Sequence, residues 1–363
     1  MNNDRIQEIL DLMEEARLDY FLISDPQSIA YCTGYYNDPH ERMFVFMISK
    51  HGNHTLFMND LFYLEHDLDV NIVWHKDGQD AIQTIVDEMH FPGRIGIDKN
   101  WASHFLLDLM KKLPDAKYIN ASPCVDLVRM KKDLQEQVLM IESSKINDAV
   151  MEEIIPFIQE GVTEKQLAKK LDELFFNHHS TCYGAIVAFG KNAADPHHEN
   201  DDTPLRKGDC VLIDMGCVYK GYCSDMTRTF FYEGILEEEI KVYEIVKKAN
   251  EAAEAMIKPG VKLSDIDKCA RKVISDEGYG KYFTHRLGHF IGRDVHEYGD
   301  VSSVNEMEVE EGMIFSIEPG IYLEGNFGVR VEDLVMVTKD RCQVLNSFTK
   351  DIYTVSYTHL RAH

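Results

Sequence analysis

The stretch VLIDMGCVYKGYCSDMTRTF (211–230) decides how this chain is read. Two apolar runs flank a short Tyr-Lys-Gly segment, which is the pattern of strand, tight turn and strand. Each run carries an aspartate, Asp214 on the first and Asp225 on the second. If the hairpin folds about Tyr219–Lys220, the two aspartates face each other. Directly opposed residues have Cβ atoms about 4.5–5.5 Å apart on one face of the sheet. Carboxylates that close repel, and one is forced to keep its proton unless something positive sits between them.

A second segment, MIFSIEPGIYLEGNFGVRVEDLVMV (313–337), repeats the arrangement. With a turn near Gly325, Glu318 stands opposite Glu332. A lone acid on a half-exposed strand is ordinary. Here the flanks VLI, MIFSI and LVMV read as strands buried on both faces, where an unpaired charge is costly. Four buried carboxylates suit two hard divalent cations, which neutralise them. One imidazole would complete such a set, and THRLGHFIGRDVHEYG (284–299) offers His285, His289 and His296. Gly288 and Gly292 bracket His289 and let the backbone there approach something closely. His289 is therefore the ligand candidate, with His285 and His296 left to meet substrate or steady the site. A further histidine pair, His197 and His198 in DPHHEN, lies just upstream of the first hairpin.

The rest of the chain sets the bounds. Its 363 residues are enough for two or three cores. Thirty-eight basic against 62 acidic residues leave a net charge of −24, which disfavours nucleic acid and anionic membrane surfaces. The acidic, amphipathic start MNNDRIQEILDLMEEARLDY lacks the basic and apolar regions of a signal peptide. Apolar runs such as MFVFMI (43–48) are far too short to cross a bilayer. The eight cysteines include no CxxC pair and read as reduced thiols of a cytoplasmic protein.

Periodicity predicts a mixed α/β chain. A helix over 1–18 precedes short strands at 20–24, 43–49, 54–58 and 71–74. A helix at 80–89, a strand at 94–98 and a helix at 104–113 complete a small α/β domain closing near residue 122. Residues 123–352 form a second domain. Its helices are expected at 131–158, 163–178, 236–258 and 264–277, and its strands at 183–189, 209–217, 222–232, 313–323 and 328–338. The tail from about Tyr353, TVSYTHLRAH, lacks an apolar final strand and is set aside as a scar.

Taken in order, Asp214, Asp225, His289, Glu318 and Glu332 resemble the five ligands of the pita-bread dinuclear metallopeptidases. The contexts IDMG…YCSDMTRTF, HRLGHFIGRDVHE, SIEPGIY, GVRVEDLVMVT and FGKNAADPHH are similar to those of the Xaa-Pro branch, prolidase and aminopeptidase P. SIAYCTGYYNDPHERMFVFMIS in the first third resembles the creatinase-type domain that precedes the catalytic domain in those enzymes. The loop NDPHERM is more polar than the branch leads one to expect, which puts substrate range in question.

The resemblance implies two divalent metals, Mn²⁺ first and Co²⁺, Fe²⁺ or Zn²⁺ as substitutes. Asp225 and Glu332 would bridge them, Asp214 would chelate one, and His289 and Glu318 would hold the other. A hydroxide between the metals would attack the bond before proline, in an Xaa-Pro dipeptide or at the N-terminus of a longer peptide. Glu318 would accept its proton, while His197 and His296 would steady the oxyanion and the scissile amide. Arg330, two residues before Glu332 on the same face, either pairs with an acid or joins His285 in binding substrate through its guanidinium. A homodimer is implied as well, although the sequence itself is silent on assembly. The alternatives are a catalytically silent pita-bread protein that binds peptides and another C–N hydrolase of the same fold.

Overall fold

In YFLI (β1, Tyr20–Ile23) every residue is apolar and buried, as in a strand covered on both faces. Side-chain alternation then sorts the residues. Phe21 and Ile23 join one core and Tyr20 and Leu22 another. The same division runs through β2 (Val45–Ser49) and β3 (Thr55–Asn59), and β4 (Asn71–His75), β5 (Arg94–Ile97) and β6 (Lys117–Asn120) complete the sheet. Its order is β4-β3-β2-β1-β5-β6. The first core is closed by α1 (Asn3–Glu15) and α2 (Pro26–Thr33), the second by α3 (Ala81–Glu88) and α4 (Ser103–Lys112). α5 (Ser122–Met130) returns to the first core with Cys124, Val125 and Val128. Periodicity missed α2 because its residues from Ser28 to Thr33 are all buried, leaving no polar face. Its caps were legible: Asp25 accepts from Ser28 N, and Gly34 follows at φ 81°.

The computed structural model describes residues 1–356. The chain divides into two compact units, Met1–Arg129 and Met130 onward. The second unit begins with α6 (Leu134–Ile154), started by a capping box between Asp133 and Glu136. α7 (Glu164–Asn177) has the same device in Thr163 and Gln166. β7 (Thr181–Cys182), β8 (Ile186–Phe189), β9 (Cys210–Met215), β10 (Cys217–Tyr219), β11 (Tyr222–Cys223) and β12 (Met226–Tyr232) follow. Next come α8 (Glu237–Met256) and α9 (Leu263–Asp276), then β13 (Gly288–His289) and β14 (Asp300–Val301). The second acidic hairpin supplies β15 (Ile314–Ile317), β16 (Gly320–Leu323), β17 (Phe327–Arg330) and β18 (Asp333–Val337), with β19 (Cys342–Val344) beside β18.

β20 (Thr354–Val355) corrects the treatment of the tail. Thr354 and Val355 pair in parallel with Phe231 and Tyr232 of β12, and Val355 is buried. Two residues are too short a run to read as a strand from sequence. The remainder of the presumed scar, from residue 357, lies outside the described residues.

The strands expected at 209–217, 222–232, 313–323 and 328–338 are each broken in two. The breaks fall at Gly216, Ser224–Asp225, Glu318–Pro319 and Val331–Glu332. Three of the four acids thus sit where the ladder is interrupted, and Asp214 is one residue inside its strand.

Behind them, Arg228 is 1% exposed. It donates from Nη2 to Asp333 Oδ1 at 2.7 Å and to Phe348 O at 2.8 Å. Nη1 reaches Thr227 O and Glu332 O, and Nε reaches Thr349 O. One guanidinium therefore ties β12, β18 and residues 348–349 together. Arg228→Leu is expected to cost about 3–5 kcal/mol, because it leaves Asp333 buried with its charge only part-compensated. Urea unfolding measures this, and a loss below 1 kcal/mol would contradict it.

Candidate metal centre

The first hairpin turns on Lys220 and Gly221, both in the left-handed region at φ 48° and 82°. That is a two-residue turn of the type whose twist suits flanking strands. It centres the hairpin one residue later than a turn about Tyr219–Lys220. The observed pairs are Met215 with Met226, Asp214 with Thr227, and Val218 with Cys223. Asp214 therefore faces Thr227, not Asp225, and the directly opposed aspartates of the sequence reading are corrected to a diagonal pair. The offset is two residues, so both carboxylates keep the same face; an offset of one would have separated them.

Asp225 lies across from Gly216, between the Met215–Met226 pair and the Ser224 N to Cys217 O bond. A Cβ on Gly216 would overlap both the Ser224 carbonyl oxygen and the Tyr183 hydroxyl. Its absence lets Tyr183 donate to Ser224 O at 2.8 Å. Burial, then the charges of Asp225 and Asp214, push the Tyr183 phenol well above its usual range, so it stays a proton donor.

The second hairpin keeps the expected register. Ile317 pairs with Asp333 and Gly320 with Arg330, which leaves Glu318 and Glu332 across from each other in the gap between two ladders. Pro319, with no N–H to give, fits that gap. Glu318 Oε1 accepts from Ser316 Oγ at 3.1 Å, and Glu332 Oε2 from Thr227 Oγ1 at 2.6 Å.

His289 on β13 closes the group. A Cβ on Gly288 would overlap the Ser316 carbonyl oxygen, so glycine allows β13 to lie against β15. His289 N donates to Ser316 Oγ at 3.0 Å. Its Nδ1 faces Phe290 O at 3.2 Å, which places the ring proton there and turns the Nε2 lone pair, a metal-binding electron pair, toward the acid cluster. Nε2 stands 3.6 Å from Asp225 Oδ2 and 3.5 Å from Glu318 Oε1. Burial, aided by His296, lowers the His289 pKa to about 3, so the ring is neutral. One ligand atom each from Asp225, His289 and Glu332 lie within 4.8 Å of one another.

Burial, then repulsion from Asp214 and Glu318, holds the Asp225 carboxyl well above the usual range. Glu332 is raised in the same way by burial, Asp225 and Glu318, and burial takes Glu318 to about 7. Asp225 Oδ1 is buried with no hydrogen-bond partner. Oxygen-rich donors, one neutral imidazole and an unpartnered carboxylate oxygen fit hard divalent cations.

Comparison with known proteins agrees with this chemistry. The family model "Metallopeptidase family M24" matches residues 138–339, and "Creatinase/Prolidase N-terminal domain" matches residues 5–131. The chain belongs to metallopeptidase family M24. Its fold is the α/β creatinase-type domain followed by the pita-bread catalytic domain, and the family depends on a dinuclear metal centre. An uncharacterized peptidase of Staphylococcus aureus is 34% identical over 355 residues, covering 95% of this chain and 99% of the relative. Prolidase from Thermococcus sibiricus superposes with TM-score 0.91 at 32% identity, over 98% of this chain and 99% of that one. An X-Pro aminopeptidase from Thermotoga maritima MSB8 gives 0.83 at 29%, over 95% and 100%.

Around the M24 acids the other sequence-predicted residues divide. The His296 ring packs edge-on against His289, centroids 4.2 Å apart. His285 Nε2 lies 2.8 Å from the Tyr322 hydroxyl, and burial lowers its pKa to about 4. His197 is exposed on the loop after β8, its N donating to Asp195 Oδ1 at 3.1 Å. It lies near enough to His285 and His296 to bear on their titration. Arg330 is 2% exposed, with Nη2 on Asp214 Oδ2 at 2.6 Å, Nε on Thr227 Oγ1 and Nη1 on the Tyr322 hydroxyl. Arg330 thus forms an ion pair with Asp214. Sequence reasoning passed over Thr227, Ser316, Tyr322 and Tyr183. The first three had a signal, since each stands an even number of residues from an acid on its own hairpin. Tyr183 had none.

Proposed function

We propose that this M24 metallopeptidase is an exopeptidase that cleaves the bond before proline, in Xaa-Pro dipeptides or at the N-terminus of Xaa-Pro peptides. The observation that carries the reading is the convergence of Asp225 and Glu318 on Nε2 of a neutral His289, with Glu332 close enough to share an ion with Asp225 and His289 and Asp225 Oδ1 unpartnered. Asp214, Asp225, His289, Glu318 and Glu332 would hold two divalent ions, Mn²⁺ by preference. When bound, the pair supplies an activated water and a Lewis acid for the substrate carbonyl.

The chain's own residues do the rest. Glu318, anchored through Oε1 by Ser316, takes the proton of the attacking water and returns it to the leaving amine. His197 and His296 donate to the carbonyl oxygen and orient the scissile amide. Arg330 keeps Asp214 turned toward the cluster, and His285 with Tyr322 lines the substrate side. All eight cysteines are free, which fits a reducing, cytoplasmic setting.

Metal-stripped protein should be inactive on Ala-Pro and Ala-Pro-Ala and recover on addition of Mn²⁺. Recovery on the dipeptide alone marks a prolidase; recovery on the tripeptide marks an aminopeptidase of the P type. Failure on both with Mn²⁺, Co²⁺, Fe²⁺ and Zn²⁺ would refute the peptidase reading and leave a peptide-binding protein.

A further inference from the structure

We propose that Glu164 and His198 are a positioning pair that fixes where the neighbouring His197 stands, an inference that rests on the catalytic role of His197 proposed above. Glu164 opens α7 and its side chain is fully buried. Oε1 accepts from Phe189 N and from Asn192 Nδ2, both at 2.9 Å. Oε2 accepts from His198 Nε2 at 2.6 Å and from Asp201 N at 3.0 Å. All four donors come from residues 189–201, so one carboxylate gathers the start, middle and end of the segment that carries His197. Glu164, His198 and Asp201 also lie close enough to hold an ion. The Glu164 oxygens are already saturated by N–H donors, however, and a cation there would meet those hydrogens.

Two adjacent imidazoles thus take opposite parts. His198 turns inward, its side chain 13% exposed, with its Nε2 proton committed to Glu164. His197 is exposed. The base of the segment is fastened independently of both rings. Asn200 accepts from Val187 N and donates to Ala185 O, each at 2.7 Å. Gly328 of β17 lies so close to Ala193 that a Cβ would overlap its carbonyl oxygen. Within residues 195–199, His198 N bonds Asp195 O, His197 N bonds Asp195 Oδ1 and Arg330 Nη1 reaches Pro196 O at 3.5 Å. The His198–Glu164 bond is the side-chain anchor that ties this turn to α7 and sets the angle at which it presents His197. Misplacement of a reacting group by about 1 Å costs on the order of 100-fold in rate.

The test uses Mn²⁺-loaded full-length protein and Ala-Pro, or Ala-Pro-Ala if that is the peptide cleaved. H198A and E164Q are expected to lower kcat by about 10–100-fold, with KM within about twofold and metal content unchanged. His198→Gln, whose amide places a donor near the position of Nε2, should restore most of the loss; it also serves if H198A does not fold. A double-mutant cycle supplies the discriminating readout. In an H197A background, H198A should change kcat by less than about twofold. Additive losses, lost metal in H198A and E164Q, or wild-type kcat in both would overturn the proposal while leaving the peptidase reading intact. Undiminished activity of H197A alone would instead remove the role of His197, and the positioning pair with it.

Discussion

Asp225→Asn is expected to abolish proline-peptide hydrolysis and yet make the metal-free protein more stable. The substitution keeps shape and removes charge. Without metal, Asp225 is a buried carboxyl held above its usual range by burial, Asp214 and Glu318, with Oδ1 unpartnered. A folded-state pKa above the unfolded value means that its stability contribution is complete at low pH and lost as pH rises through the folded value. Asparagine removes that loss. Metal-free Asp225→Asn should therefore melt above metal-free wild type, by about 2–4 °C for each kcal/mol of repulsion relieved. The gap should be wider at pH 8 than at pH 5. With Mn²⁺ the order reverses. Wild type gains about 2.7 kcal/mol at a hundredfold excess over Kd, and the variant gains little. Substitution of a group that merely supports a ligand costs about 10–100-fold in affinity or activity, and loss of a candidate ligand should exceed that. Calorimetric melts with and without Mn²⁺, read beside Ala-Pro hydrolysis, check both halves. A variant less stable than wild type without metal would show that no repulsion is stored there.

Gly288→Ala is the second large effect, and it arises from backbone. A Cβ at 288 overlaps the Ser316 carbonyl oxygen, which belongs to a ladder pair with Leu334 and cannot rotate away. β13 must then separate from β15 and carry His289 with it. Overpacking of this kind costs about 1–3 kcal/mol, and displacement of the imidazole should remove metal affinity along with activity. Gly292→Ala is the contrast, because its Cβ meets the carboxylate end of Glu297, a side chain that can swing. It should weaken the Glu297 contact with Lys132 and spare metal stoichiometry. Metal content per chain after dialysis separates the two. Wild-type metal content in Gly288→Ala would mean that β13 does not depend on the close approach.

Much of the fold was legible because period and punctuation agree along the chain. Helical spacing placed α6 and α7 within about four residues of their observed ends, 131–158 against Leu134–Ile154 and 163–178 against Glu164–Asn177. Every acid of the cluster was found from its apolar flanks, since a charge between VLI and strand residues has no cheap location. What misled was the turn. Tyr-Lys-Gly admits two centres a residue apart, and only the left-handed backbone at both Lys220 and Gly221 selects the later one. The strand at 354–355 was hidden for a different reason, as its two residues acquire strand geometry from pairing with β12.

The sequence by itself determined the kind of site: which acids interrupt apolar strands, that one histidine flanked by glycines stands with them, and that the alternation of residues keeps Asp214 and Asp225 on one face. These follow from local chemistry and a period of two. The sequence did not show that Asp225 and Glu332 are buried while Asp214 and Glu318 are only half-buried. Only the tertiary structure decided the partners. Arg330 reaches Asp214 across 116 residues of sequence, Thr227 reaches Glu332 across 105, and Ser316 serves both His289 and Glu318. Contacts between hairpins distant in sequence have no periodic signature, because they are set by how two sheets approach. That approach is fixed where Gly216, Gly288 and Gly328 let backbones or rings come closer than any Cβ permits.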